Sequence, residues 1–294
     1  MEKKFNLSIL VAAALWGCIG VFLKLLTAAG LSAMEGVAVR STVAAIIYGL
    51  FLAFTNRKRL KIAPRHWYYF FGTGVCSLLF FNWCYFNAIS SSSMSVAAVL
   101  LYTAPVFVTL MSAVFFREKI TSLKIGALVL TFSGCVLVTG LLPLGQQSVS
   151  FRTILFGLGS GFGYALYSVF GKFALAKYPP STVTFYTFLF SAACSLPFSG
   201  LHRHLILLTD GRAIVGGLGI GVLCCILPYL LYTSGLRHTE AGRAAILATA
   251  EPFVAALLGI SLFHESVTGY KLLGMGAIFC AILLLNRPVK GKRD

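Results

Sequence analysis

The chain has 294 residues; 58% are hydrophobic and only 11% are charged, with a formal net charge of +16. A soluble domain runs nearer half apolar and about 25% charged, so this much apolar surface cannot hide in a water-soluble globule, and lipid is the remaining solvent. The positive charge lies mostly in short connectors between apolar runs, which argues against a nucleic-acid-binding domain.

Ten apolar spans follow in chain order, at residues 7–29, 34–54, 68–88, 94–116, 122–142, 153–175, 182–200, 213–235, 241–263 and 268–286. Each is close to the roughly 20 residues that carry a helix across a ~30 Å hydrocarbon core. The 51 residues from His66 to Phe116 contain no Lys, Arg, Asp or Glu, and neither does the stretch from Ile125 to Phe151. Barrel strands alternate in polarity and span about 10 residues, whereas a helix satisfies its backbone polar groups within one segment. The run behind Met1–Lys4 continues past Lys24 and precedes many more spans, so it reads as an uncleaved first helix rather than a signal peptide. The fold class expected is an all-α polytopic membrane protein with ten transmembrane helices.

Lysine and arginine set the orientation. With a cytoplasmic N-terminus, 18 of the 24 basic residues fall on the inner side, among them Arg57–Arg65, Arg117, Lys119, Lys124, Lys172, Lys177 and Arg287–Arg293. Lys24, Arg40, Arg152, Arg203, Arg212 and Lys271 fall toward the other side. Both termini are expected in the cytoplasm, in a plasma (cell inner) membrane.

The halves repeat. A shift of 147 residues, with no gap over 61 positions, brings Gly72, Gly74, Tyr85, Ala97, Ala98, Pro105, Glu118, Thr121 and Lys124 onto Gly219, Gly221, Tyr232, Ala244, Ala245, Pro252, Glu265, Thr268 and Lys271. The coincident Pro, Glu, Lys and Tyr are hard to obtain from apolar bias. Five helices per repeat is an odd number, so the second copy (147–294) enters the membrane inverted relative to the first (1–146). Inverted repeats are typical of secondary carriers, whose substrate site lies near the midplane between the halves.

LWGCIGVFLK (Leu15 to Lys24), Arg40, AAVLLYTAPVFVTL (Ala97 to Leu110) with Glu118, and AILATAEPFVAALLG (Ala245 to Gly259) with Glu265 together resemble the drug/metabolite transporter superfamily, specifically its EamA-type family. The resemblance covers essentially the whole chain. It implies a ten-helix carrier of two inverted repeats, often an exporter of amino acids or other metabolites. It does not fix the substrate, and import, or drugs, nucleobases or sugars, stay open.

Glu251 is the sharpest site candidate. It lies ten residues beyond Ala241, about 15 Å along its helix and near mid-membrane, where a carboxylate is costly and faces the bundle interior. It is a candidate to bind a substrate ammonium or couple protons; structural pairing with Arg40 or Lys24 is the plainer account. Arg40 reads either as snorkelling to the interface or as pairing with Glu35 or receiving a carboxylate, and Lys24 reads as snorkelling. Pro105 and Pro252 each deprive the carbonyl four residues earlier, at Leu101 and Ala248, of its amide donor, so helix kinks are expected there. Among many aromatic and amide residues, Trp16, Asn82, Tyr102 and Tyr164 are preferred as substrate-binding because the resemblance implies that their spans form the cavity. The glycines at 157, 159, 161 and 163 and at 216, 217, 219 and 221 give close helix approach.

The eight cysteines lie in apolar runs without a Cys-x-x-Cys spacing, and the five histidines lack zinc spacing, so neither metal nor cofactor is expected. No phosphate-loop, H-E-x-x-H or G-x-S-x-G motif is present, and a single central acid is not a catalytic cluster. The expectation is a transporter rather than an enzyme, with a small-molecule substrate, the bilayer as partner and protons as a candidate coupling ion. A passive channel is the alternative mechanism.

Overall fold

The computed structural model describes residues 2–139, 149–264 and 266–286. Glu265, the repeat boundary at 146/147, and Arg287, Lys290, Lys292 and Arg293 lie outside the described residues. Among the described residues all regular structure is helical. The first run consists of α1 (Glu2–Gly17) and α2 (Ile19–Ala28), parted at Cys18, and is followed by α3 (Ala33–Thr55). Next, α4 (Trp67–Phe71), a π-helix (Gly72–Leu79) and α5 (Phe80–Ser91) form one unbroken helical run. A further run is broken between α6 (Met94–Leu101) and α7 (Ala104–Phe116), and α8 (Ser122–Val138) follows. Beyond it come α9 (Phe151–Leu175), α10 (Pro180–Ser199) and α11 (Gly211–Gly221), then a second π-helix (Val222–Ile226) leading into α12 (Leu227–His238). Last are α13 (Ala241–Ala248), α14 (Ala250–Phe263) and α15 (Gly269–Asn286).

Seven of the helical runs are long and apolar enough to cross a membrane: Lys4–Ala28, Ala33–Thr55, Met94–Phe116, Phe151–Leu175, Pro180–Ser199, Gly211–His238 and Ala241–Phe263. Shorter apolar helices cover Ser122–Val138 and Gly269–Leu285. Large apolar side chains point outward, with Phe54 83% exposed, Phe151 80% and Val114 75%. Water would penalise such a surface by roughly 25 cal/mol per Å², whereas hydrocarbon does not. The chain is a multi-pass, all-helical membrane protein.

Local sequence sets the helix ends. Ser32 and Glu35 form a reciprocal capping box at the start of α3. Ser93, Thr121 and Ser150 each accept from the backbone N–H three residues on, capping α6, α8 and α9. Arg117 (φ 55°) and His264 (φ 51°) close α7 and α14 in the left-handed conformation. They are partners under the 147-residue shift, and so are the two π-helices.

The packing echoes the sequence repeat. α5 packs on α9, and α12, the counterpart of α5, packs on α1. α3 packs on its counterpart α10, and α8 on its counterpart α15. The α3–α10 pair runs antiparallel: Ser41 meets Ser191 at 3.0 Å while Arg59 meets Ser181 at 2.6 Å. α8 and α15 run antiparallel too, with Gly126 nearest Leu284 and Gly134 nearest Gly274. At that crossing main chain meets main chain: a Cβ on Gly134 would lie 2.8 Å from the Gly274 carbonyl oxygen, and one on Gly274 would lie 2.6 Å from that of Gly134.

Candidate functional site

The α6–α7 break and the α13–α14 break frame a cavity. Leu101, Tyr102, Ala104 and Pro105 line it from the first break, Ala245, Ala248, Thr249 and Glu251 from the second, and Tyr164 from α9. It holds about 290 Å³ of empty space, counting its mouth.

The prolines explain the breaks. Pro105 is the second residue of α7 and Pro252 the third of α14. Neither has an N–H to give to the carbonyl four residues earlier, and both residues so deprived, Leu101 and Ala248, line the cavity. Helical geometry is lost just ahead of each proline, at Tyr102–Thr103 and at Thr249. Thr103 Oγ1 donates to the Leu100 carbonyl at 2.6 Å, and Thr249 Oγ1 to that of Ile246 at 2.5 Å. These bonds satisfy carbonyls beside the breaks while Leu101 and Ala248 face the cavity.

Glu251 stands in the cavity wall with neither a hydrogen bond nor an ion pair to any of the described residues. The structural partners open to it are engaged elsewhere. Lys24 is exposed, and its Nζ sits 3.1 Å from the centroid of the Phe263 ring at the end of α14, a cation–π contact. Arg40 Nη2 donates to Asn82 Oδ1 at 3.0 Å. Glu35 is not paired with Arg40; it accepts from the Ser32 backbone N–H at 2.7 Å and meets His204 Nδ1 at 2.7 Å.

A second cavity, with about 280 Å³ of empty space counting its mouth, adjoins the first, lined by Trp16, Ser77, Leu78, Phe81, Tyr164, Tyr167, Ser168, Tyr229 and Tyr232. Tyr164 belongs to both walls. The Trp16 ring packs edge-on against Tyr164 and Tyr229, with centroids 6.4 and 5.3 Å apart, and lies tilted on Tyr232 at 5.3 Å. Two of the tyrosine hydroxyls are satisfied: Tyr167 meets Thr233 Oγ1 at 2.8 Å and Tyr232 meets Ser168 Oγ at 2.8 Å. The lining is aromatic and uncharged, suited to the apolar part of a solute.

The residues singled out from sequence therefore divide. Glu251, Tyr102, Tyr164 and Pro105 come together at the first cavity, and Trp16 joins Tyr164 at the second. Asn82 lines neither; it is buried, bonded to Arg40, and donates Nδ2 to the Leu78 carbonyl at 2.6 Å. Pro252 is buried beside Glu251, outside both walls. Thr249, Ser77 and Ser168 were not anticipated. A signal existed for Thr249, which is the repeat partner of Tyr102.

One end of the first cavity's helices is tied by charge. Glu118, in the turn after α7, contacts Lys172 Nζ of α9 at 2.5 Å and accepts from the backbone N–H groups of Ala241 (2.7 Å) and Gly242 (3.2 Å) at the start of α13. Lys124 lies 3.9 Å from Glu118 and 2.9 Å from Glu240. Burial by itself would raise the Glu118 carboxyl, but Lys172 and the two backbone donors outweigh it and hold the group below the ordinary value.

A helical membrane domain enclosing a cavity with an unpaired carboxylate and an aromatic annex has the makings of a solute transporter. The chain belongs to the EamA-like transporter family, whose profile matches residues 3–140 and again residues 151–287. It is 33% identical over 205 residues, 69% of this chain and 71% of the other, to an uncharacterized transporter of Archaeoglobus fulgidus. It is 29% identical over 232 residues, 78% of this chain and 72% of the other, to the threonine/homoserine exporter RhtA of Escherichia coli K12. It is also 24% identical, over 97% of this chain and 95% of the other, to the uncharacterized inner membrane transporter YicL of Salmonella typhimurium. A solved crystal structure shares the fold, with a TM-score of 0.82 over 97% of both chains at 16% identity.

Proposed function

We propose that this transporter exports amino acids or closely related metabolites by alternating access, with the solute bound between two inverted five-helix halves. The observation that carries the reading is Glu251, an acid without a partner among the described residues, in a cavity walled by the helix breaks of both halves. A carboxylate beside two proline-freed carbonyls is a good receptor for a substrate ammonium. The aromatic annex accepts the rest of the solute. The exporter RhtA, named for threonine and homoserine, supports the substrate class.

Ten crossings are the count we favour: the seven long runs, the two shorter apolar helices, and the helical run Trp67–Ser91. Antiparallel contact of α3 with α10 and of α8 with α15, each with its repeat partner, supports inversion of the second half. With both termini cytoplasmic, as the basic residues favour, the Glu118 cluster belongs to the cytoplasmic end, and Glu251 is the proposed site of proton coupling.

Counterflow in proteoliposomes tests this. Trapped unlabelled threonine is expected to accelerate entry of labelled threonine, since only a carrier exchanges. Glu251→Gln is expected to insert normally and lose exchange. Wild-type exchange in that variant would remove Glu251 from the site, and non-saturating flux without counterflow would favour a channel.

A further inference from the structure

Arg40 lies seven residues into α3, about 10 Å along the helix, and is only 8% exposed. No carboxylate among the described residues pairs with it. Its hydrogen-bond partner is an amide oxygen, Asn82 Oδ1 at 3.0 Å, and its buried Nε has no hydrogen-bond partner among the described residues. A desolvated guanidinium is costly unless an anion and further acceptors answer it. Asn82 supplies one neutral acceptor and cannot turn to do more, because its Nδ2 is anchored on the Leu78 carbonyl at 2.6 Å.

The surroundings point to a ligand. Leu78 belongs to the first π-helix and lines the aromatic cavity. Cys224 and Cys225 of the second π-helix, and Tyr229 of the same cavity, lie within electrostatic range of Arg40, and so does Glu251. Through Asn82 the guanidinium is tied to Leu78 in the wall of the aromatic cavity, and its helix α3 packs against the second π-helix. Irregular turns of this kind recur at functional sites. Arg40 itself lines neither cavity, and it is not bonded to Glu251 in the wall of the first.

We infer that Arg40, held in place by Asn82, receives the carboxylate of the transported solute while Glu251 receives its ammonium. The inference rests on the amino-acid reading above and extends it to a second pole. A guanidinium presents a planar fork of N–H groups that matches a carboxylate, and the idle Nε is one tine of that fork. The site would then measure the solute from ammonium to carboxylate and leave the side chain to the aromatic annex.

Thermal shift on the purified full-length protein tests this, because a bound solute raises the melting midpoint. The probes are L-threonine, 3-hydroxybutyrate (no ammonium), 1-amino-2-propanol (no carboxylate), and a panel of other amino and hydroxy acids. Wild type is expected to respond to threonine and more weakly to 3-hydroxybutyrate, but not to 1-amino-2-propanol. Arg40→Gln should weaken both responses by about tenfold or more, the scale of a lost charged hydrogen bond. Asn82→Asp guards against simple misfolding. It supplies Arg40 with an internal carboxylate, so the unliganded midpoint should rise while the response to carboxylates is lost.

Equal responses to threonine and 1-amino-2-propanol would overturn the inference. So would retained carboxylate binding in Arg40→Gln or Asn82→Asp, or the lack of any response across the whole panel in wild type. If hydroxy acids bind through Arg40 while amino acids gain nothing over them, the carboxylate site stands and the amino-acid reading falls.

Discussion

Glu118 and Lys172 meet at 2.5 Å and join the turn after α7 to α9, while the same carboxylate caps α13 through Ala241 and Gly242. Three helices that wall the first cavity are thereby held by one side chain. Glu118→Gln leaves Lys172 and Lys124 without that charge. Removing one partner of a buried pair costs about 3–5 kcal/mol, so the melting midpoint of the purified variant should fall clearly. A midpoint equal to wild type would mean that the cluster does not hold these helices together.

The same carboxyl sets a pH dependence. Its folded value lies below the ordinary one, so the stabilisation is fully present above about pH 5 and is lost as pH falls below about 4. The midpoint difference between wild type and Glu118→Gln should therefore be flat from neutral pH to mild acid, then shrink. A difference that grew on acidification would contradict the assigned sign.

Tyr164 is the partition between the two cavities. Tyr164→Ala should merge them, at less than the cost of about 3–5 kcal/mol for a fully buried aromatic, because the ring is only half-buried. Bulky solutes such as phenylalanine should then compete better in counterflow, whereas Tyr164→Phe should keep the wild-type ranking. Unchanged competition by large solutes in Tyr164→Ala would show that the ring does not limit size.

Gly161 lets α9 approach the first helix break. A Cβ there would lie 3.1 Å from the Leu100 carbonyl oxygen and 3.2 Å from that of Leu101. Gly161→Val should push α9 away from the break, with an overpacking cost of about 1–3 kcal/mol, and slow exchange in correctly inserted protein. Wild-type exchange by that variant would show that the approach is dispensable.

Much of this architecture is legible in the sequence because lipid imposes a simple rule. Apolar runs of spanning length must be helices, and the helical runs fall within a few residues of the spans read from charge gaps. Glu251 stood out for the same reason, since an acid so deep in an apolar run needs an inward-facing home. Proline chemistry located the two breaks to within a few residues, though the chain parts just before Pro105 and Pro252 rather than bending at them. What remained hidden depends on pairings between distant segments. Nothing local to α3 or α5 says that Arg40 bonds Asn82, 42 positions away. The π-helices are also invisible to hydropathy, because one extra residue in a turn leaves composition unchanged.

Main chain against main chain at Gly134 and Gly274 makes two positions that line neither cavity intolerant of replacement. Even alanine at either would wedge α8 from α15, and no trimmed neighbour can make room when the opposing atom is a carbonyl oxygen. A saturation-mutagenesis map scored on transport alone would therefore mark these two positions as strongly as Glu251 and mistake a seam for a binding site. Counting inserted protein for every variant tells the two apart.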